Sequence, residues 1–98
     1  MTTNYLINVK EQYTRTMVHE HMLNTTIYDS KKDALDTINN YITTLLETGM
    51  IEILTNKCTE TEKHLEHRNG TRYTITLMTR RYFETEAEYQ NFVNSERD

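Results

Sequence analysis

The side chains with most capacity for chemistry in this sequence are four histidines, one cysteine and two sets of charged residues. His19-Glu20-His21 spaces two imidazoles so that a strand would put both on one face, and Cys58, His64 and His67 are donors of the type a tetrahedral zinc site takes. The spacing follows no zinc signature. The register argued below also turns Cys58 and His64 away from His67, so the expectation is no metal, with histidines solvated or paired with Glu11, Glu60 or Glu66. A nucleophilic Cys58 would need a neighbouring base and an oxyanion site, and its context Asn56-Lys57-Cys58-Thr59-Glu60 offers one lysine and no glycine turn. GxSxG, phosphate-loop and HExxH motifs do not occur, so the sequence predicts no catalytic residue, no enzyme activity and no cofactor.

Arg68, Arg72, Arg80 and Arg81 cluster around a second hairpin, interleaved with Tyr73 and Tyr82. Strand alternation places Arg72, Thr74, Thr76, Met78, Arg80 and Tyr82 on one face, where arginine and tyrosine can stack on bases. The formal charge of -4 works against a phosphate backbone, and the aromatic-glycine signature of RNA-binding sheets is missing. A small nucleic-acid-binding regulator using this Arg/Tyr face is therefore the alternative reading, and cross-strand pairing such as Glu66 with Arg72 is the simpler role for the arginines. Glu60, Glu62 and Glu66 form the opposing set, on a stretch with almost no apolar content. Such a row guards an edge strand against unwanted pairing, and it also matches a basic partner. Glu86 and Glu88 are explained by the dipole of a helix starting there. Met17 and Met50 read as core, whereas Met22 and Met78 join Tyr28 and Tyr82 on an open sheet face of residue types favoured at interfaces.

The elements that must position these residues are legible from periodicity. Tyr5, Ile7, Val9 and Tyr13 alternate with Leu6, Asn8, Lys10 and Gln12 as a half-buried strand does, and residues 17–28 continue as a second strand. The link at Thr14 to Thr16 carries no glycine, asparagine or aspartate, so that turn is poorly specified. Ala34, Leu35, Ile38, Tyr41, Ile42, Leu45 and Leu46 recur at three and four, predicting the main helix over 30–48 with Ser30 as N-cap, Asp33 its capping partner and Gly49 at the C-terminus. Ile51 and Ile53 open an extended stretch running to Arg68. Asn69-Gly70 then turns the chain into a strand through Tyr73, Ile75, Leu77 and Phe83. A three-residue loop with Gly70 in the left-handed position pairs Leu65 with Tyr73 and Glu66 with Arg72; a slip of one residue would bury the glutamates. Thr85 and Glu88 repeat the capping spacing, predicting a C-terminal helix over 85–95.

Two hairpin-plus-helix units of this kind predict an α+β fold, ββαββα, with a four-stranded mostly antiparallel sheet and both helices packed on one face. The shared pattern of aromatic, acid, hydroxyl and acid in Tyr28 to Asp33 and in Phe83 to Glu88 follows from capping whether or not the units are duplicates.

With 98 residues, 36% of them apolar, the chain reads as a single domain over 1–98 with one modest core and little room for a deep active site. No apolar run is long enough to span a membrane and the first residues do not look like a signal peptide, so the expectation is a cytoplasmic protein without membrane contact. A single cysteine gives no internal disulfide. Threonine is the commonest residue, and the abundance of asparagine, tyrosine, isoleucine and lysine suggests AT-rich coding. In size, acidity and this usage the chain resembles in style phage-encoded inhibitors of host nucleic-acid enzymes, including anti-CRISPR and anti-restriction proteins. The expectation is thus a small acidic protein-protein interaction module, inhibitor or adaptor, whose partner has a basic nucleic-acid-binding surface. Self-association through the open sheet face, as a homodimer, is a further expectation.

Overall fold

The computed structural model describes residues 2–82 and 85–97, with Thr2, Thr25, Arg81, Tyr82, Tyr89, Ser95, Glu96 and Arg97 described by their backbone only. The elements are β1 (Thr2–Gln12), β2 (Val18–Met22), α1 (Lys31–Leu46), β3 (Ile51–Ile53), β4 (Glu62–His67), β5 (Arg72–Tyr82) and α2 (Glu86–Arg97). The expected Phe83 and Glu84 lie outside the described residues.

The α+β class holds, and the strand count changes. All strands join one antiparallel sheet in the order β2-β1-β5-β4-β3, so the element order is ββαβββα with five strands where four were expected. The correction comes from residues 51–68. After Ile53 the backbone leaves the extended region at Leu54, makes a 3-10 turn at Thr55–Lys57, and returns so that Ile51 faces His67 and Ile53 faces Leu65. The residues between carry too little apolar alternation to stay on a sheet, whereas Ile51 and Ile53 bury their side chains by folding back on β4. The order also argues against duplication of the two units: of the four hairpin strands the inner two are the first strand of one hairpin, β1, and the second strand of the other, β5.

Helix α1 forms as its stripe dictates. Ala34, Ile38 and Ile42 are buried, the Ser30 hydroxyl accepts the Asp33 N–H at 3.4 Å, and the Gly49 N–H closes on the Leu46 carbonyl at 3.1 Å with φ +74°. This face lies over Ile7 and Val9 of β1, Ile75 and Leu77 of β5, Leu65 of β4 and Ile51 of β3, which form a single core. α1 packs against β1, β3 and β5; α2 makes no comparable packing among the described residues, so the expected pair of helices on one face is reduced to one. Between Glu86 and Arg97 the sequence is mostly polar, too poor in apolar side chains for a second full stripe. Its start is as expected, with the Thr85 hydroxyl accepting the Glu88 N–H at 3.1 Å. The described chain is elongated, 52 × 29 × 25 Å, with a radius of gyration of 17.0 Å, against about 13 Å for a compact chain of this length.

Both hairpin turns are set by side chains. Thr14 supplies what the first link lacked: its hydroxyl accepts the N–H groups of Thr16 and Met17 at 3.3 and 3.0 Å. Met17, 61% exposed, belongs to that turn, and Met50, 51% exposed, to the connection after Gly49; neither is in the core as the sequence suggested. In the second hairpin Gly70 has φ +94°, His67 and Thr71 close the loop, and Leu65 pairs with Tyr73 and Glu66 with Arg72, the register expected. No described helix is long and apolar enough to cross a membrane.

A Cβ at Gly70 would meet nothing within 4 Å, so its substitution tests backbone conformation alone. Gly70→Ala is expected to lower stability by about 1–2 kcal/mol in urea unfolding, and Gly70→Asn by less, since asparagine tolerates the left-handed region.

Candidate functional site

The face of the sheet opposite α1 carries most of the predicted site. Antiparallel registers arrange it in rows across the strands: Val18, Gln12, Arg72, Glu66 and Glu52; then Glu20, Lys10, Thr74 and His64; then Met22, Asn8, Thr76 and Glu62. Leu6 with Met78 and Asn4 with Arg80 continue it along the β1–β5 ribbon. Of the expected surface, Met22, Arg72, Met78 and Arg80 are here, and Tyr82 is placed in β5 opposite Thr2, its side chain outside the described residues. Tyr28 is not here. It forms an antiparallel bridge with Tyr5 and packs with it against the core on the α1 side. A 3-10 turn at Leu23–Thr25, with Asn24 at φ +57°, breaks the alternation that the sequence reading carried through to Tyr28.

The acidic set is redrawn in the same way. Glu60 precedes β4 and pairs with Lys31 at the start of α1, 3.0 Å away, so it does not lie on β4 with Glu62 and Glu66. Glu62 and Glu66 do lie on the open face, joined by Glu52, which sits directly opposite Glu66. Glu52 was missed because its face depends on β3 pairing back onto β4. Around these acids, Glu62 approaches His64 Nε2 at 3.4 Å, and Glu66 lies 3.9 Å from Arg72 Nε. Asn8 donates to Glu20 at 2.9 Å, and Arg80 Nε donates to the buried Asn4 at 3.1 Å.

A concavity of about 240 Å³ opens in the middle of this face, lined by Lys10, Gln12, Leu54, Lys57, His64, Arg72 and Thr74 among others. Lys10 and Lys57 carry no motif that flags them in the sequence; the fold of residues 54–61 brings Lys57 over the strands. Cys58 helps hold that loop. Its thiol donates to the Leu54 carbonyl at 3.2 Å and its sulfur accepts the His64 N–H at 3.3 Å, so it acts as a fastener. His67 faces the other way and its Nδ1 accepts the Asn69 N–H at 3.0 Å. His19 and His21 lie on the α1 side of β2, with ring centroids 5.2 Å apart. Among the described residues no group of histidine, cysteine and acid side chains could hold a metal ion.

On the α1 side, Glu11 stands opposite Tyr73 and accepts a hydrogen bond from the Tyr13 hydroxyl. That hydrogen bond is the main cause of the raised Tyr13 pKa, whereas burial leads for Tyr41 and Tyr73, with the Glu11 charge adding to each.

The chain matches no family model, no curated protein and no solved structure.

Because these phenols hold their protons more tightly folded than unfolded, the stability they contribute is present below pH 10 and is lost as pH rises through the folded values. Tyrosinate absorbance should show Tyr13, Tyr41 and Tyr73 ionising above the ordinary range. Glu11→Gln should bring Tyr13 down most, because Tyr41 and Tyr73 keep their burial.

Proposed function

We propose that this chain is a non-enzymatic protein-interaction module, an inhibitor or adaptor that lays its uncovered sheet face against a nucleic-acid-handling protein. The observation that carries the reading is the direct opposition of Glu52 and Glu66 across β3 and β4, with Glu62 on the same face. Like charges directly opposite one another destabilise a sheet. Arg72 lies beside only one of them, at 3.9 Å, and an exposed pair at that distance offsets little. Cationic groups of a partner would relieve the repulsion and draw the two surfaces together, as in a groove built for a phosphate backbone. Leu6, Met22 and Met78 on the same face supply adaptable apolar contact; Met78 is 46% exposed.

The nucleic-acid alternative needs a continuous basic track. Arg80 is bonded to Asn4 and separated from Arg72 by Thr74, Thr76 and Met78, which interrupts such a track.

The test is capture of the tagged chain's partner from lysate of its native host, with and without nuclease, by the wild type and by a Glu52→Gln, Glu62→Gln, Glu66→Gln variant. A nucleic-acid enzyme recovered regardless of nuclease, and lost by the variant, is the expected result. The variant should also be as stable as the wild type or more stable by about 0.2–1 kcal/mol, because the Glu52–Glu66 repulsion is gone. Equal capture by the variant, or capture abolished by nuclease, overturns the proposal.

A further inference from the structure

We propose that the concavity at the centre of the open sheet face binds the phosphate group of a small monoester. Its walls come from four places in the chain: Lys10 and Gln12 of β1, Arg72 and Thr74 of β5, His64 of β4, and Lys57 in the loop before β4. Three permanent cations thus border one small hollow in a chain whose formal charge is -4. Pairing with carboxylates accounts for neither lysine, and for Arg72 only through the long contact with Glu66. Lys10 and Lys57 have no carboxylate partner among the described residues, and Glu20, opposite Lys10 in the register, takes its hydrogen bond from Asn8. Glu66 stands 3.9 Å from Arg72 Nε, beyond the roughly 2.7–2.9 Å of a charge-assisted hydrogen bond, so the guanidinium keeps its capacity for another anion.

The ligand class follows from charge, donors and size. Cations arriving from separate elements suit a group with several anionic oxygens, and arginine offers the planar fork that phosphate accepts. The Thr74 hydroxyl and Gln12 amide add neutral hydrogen-bonding groups, and Leu54 adds an apolar wall. A volume of about 240 Å³ falls below the roughly 300 Å³ at which pockets for drug-sized ligands begin, which fits a phosphate with a short ester group. Glu62 and Glu66 border the hollow through His64 and Arg72 and would hold these two side chains in place. Although Glu62 and Glu66 also figure in the protein-docking reading, the site is tested apart from it, through Lys10 and Lys57, which that reading does not use.

The experiment is an NMR titration of the full isotope-labelled chain with inorganic phosphate, against sodium chloride at matched ionic strength, followed by a nucleoside monophosphate and a short single-stranded oligonucleotide. Saturable shifts at the amides of Lys10, Lys57, His64, Arg72 and Thr74, with a Kd on the order of 1 mM for phosphate and tighter for the monoester, are expected. A Lys10→Gln, Lys57→Gln variant should weaken binding by roughly tenfold or more. Both lysines are exposed or on a loop, and an otherwise unchanged spectrum shows that the variant is folded. Shifts equal to those in chloride, or a variant that binds as the wild type does, overturn the proposal. So does oligonucleotide binding without phosphate binding, which would assign the cations to a nucleic-acid surface.

Discussion

The fold depends on the pairing of β1 with β5, an unbroken antiparallel register from Thr2 opposite Tyr82 to Gln12 opposite Arg72. These two strands contribute Ile7, Val9, Ile75 and Leu77 to the centre of the core, and their alternate residues Lys10, Gln12, Arg72 and Thr74 to the hollow on the other side. One constraint therefore sets both faces. A slip of one residue in β5 would turn Ile75 outward and bring Thr74 beneath α1, exchanging core for surface along the whole strand. The complete burial of Ile7, Val9 and Ile75 opposes that slip, so apolar packing on one side fixes where the charges stand on the other.

The polarity of the uncovered face follows from size. One core is buried among the described residues, and α1 covers one side of the antiparallel sheet, leaving the other, apart from the buried Asn4, partly or fully exposed. Such a face must still be made of residues that accept extended backbone. Thr74 and Thr76 on β5 meet both demands, being β-branched and polar. Charged residues interrupt this threonine surface at its centre and toward β3, and those are the places where the face departs from what stability alone would select.

Much of this was legible in the sequence wherever a local pattern and its physical requirement coincided. The α1 stripe with Ser30 and Gly49 at its ends, the Gly70 turn and the resulting Glu66–Arg72 pairing could be read directly, because each involves residues a few positions apart. The misreadings share a different cause. Tyr28 changed faces because Asn24 interrupts a strand that looked continuous, and Glu60 fell outside β4 because that strand starts only at Glu62. Glu52 and Lys57 gained significance from a reversal between Ile53 and Glu62 held by backbone contacts and by the Cys58 thiol. No period in the sequence announces a reversal of that kind, and the thiol that secures it belongs to the cysteine weighed and set aside as a nucleophile.

The central pairing also imposes an order in time. Arg72 lies 60 positions after Gln12, its partner in the register, and at roughly 5–20 residues synthesised per second β1 waits about 3–12 s for β5 to be made. During that interval β2 can zip onto one edge of β1 through the Thr14 turn, while the other edge and the Ile7–Val9 stripe stay open. Until β5 emerges the nascent chain thus presents β1 with one edge unpaired, and a chaperone has its opportunity to engage the protein there, at the edge that later pairs with the central strand.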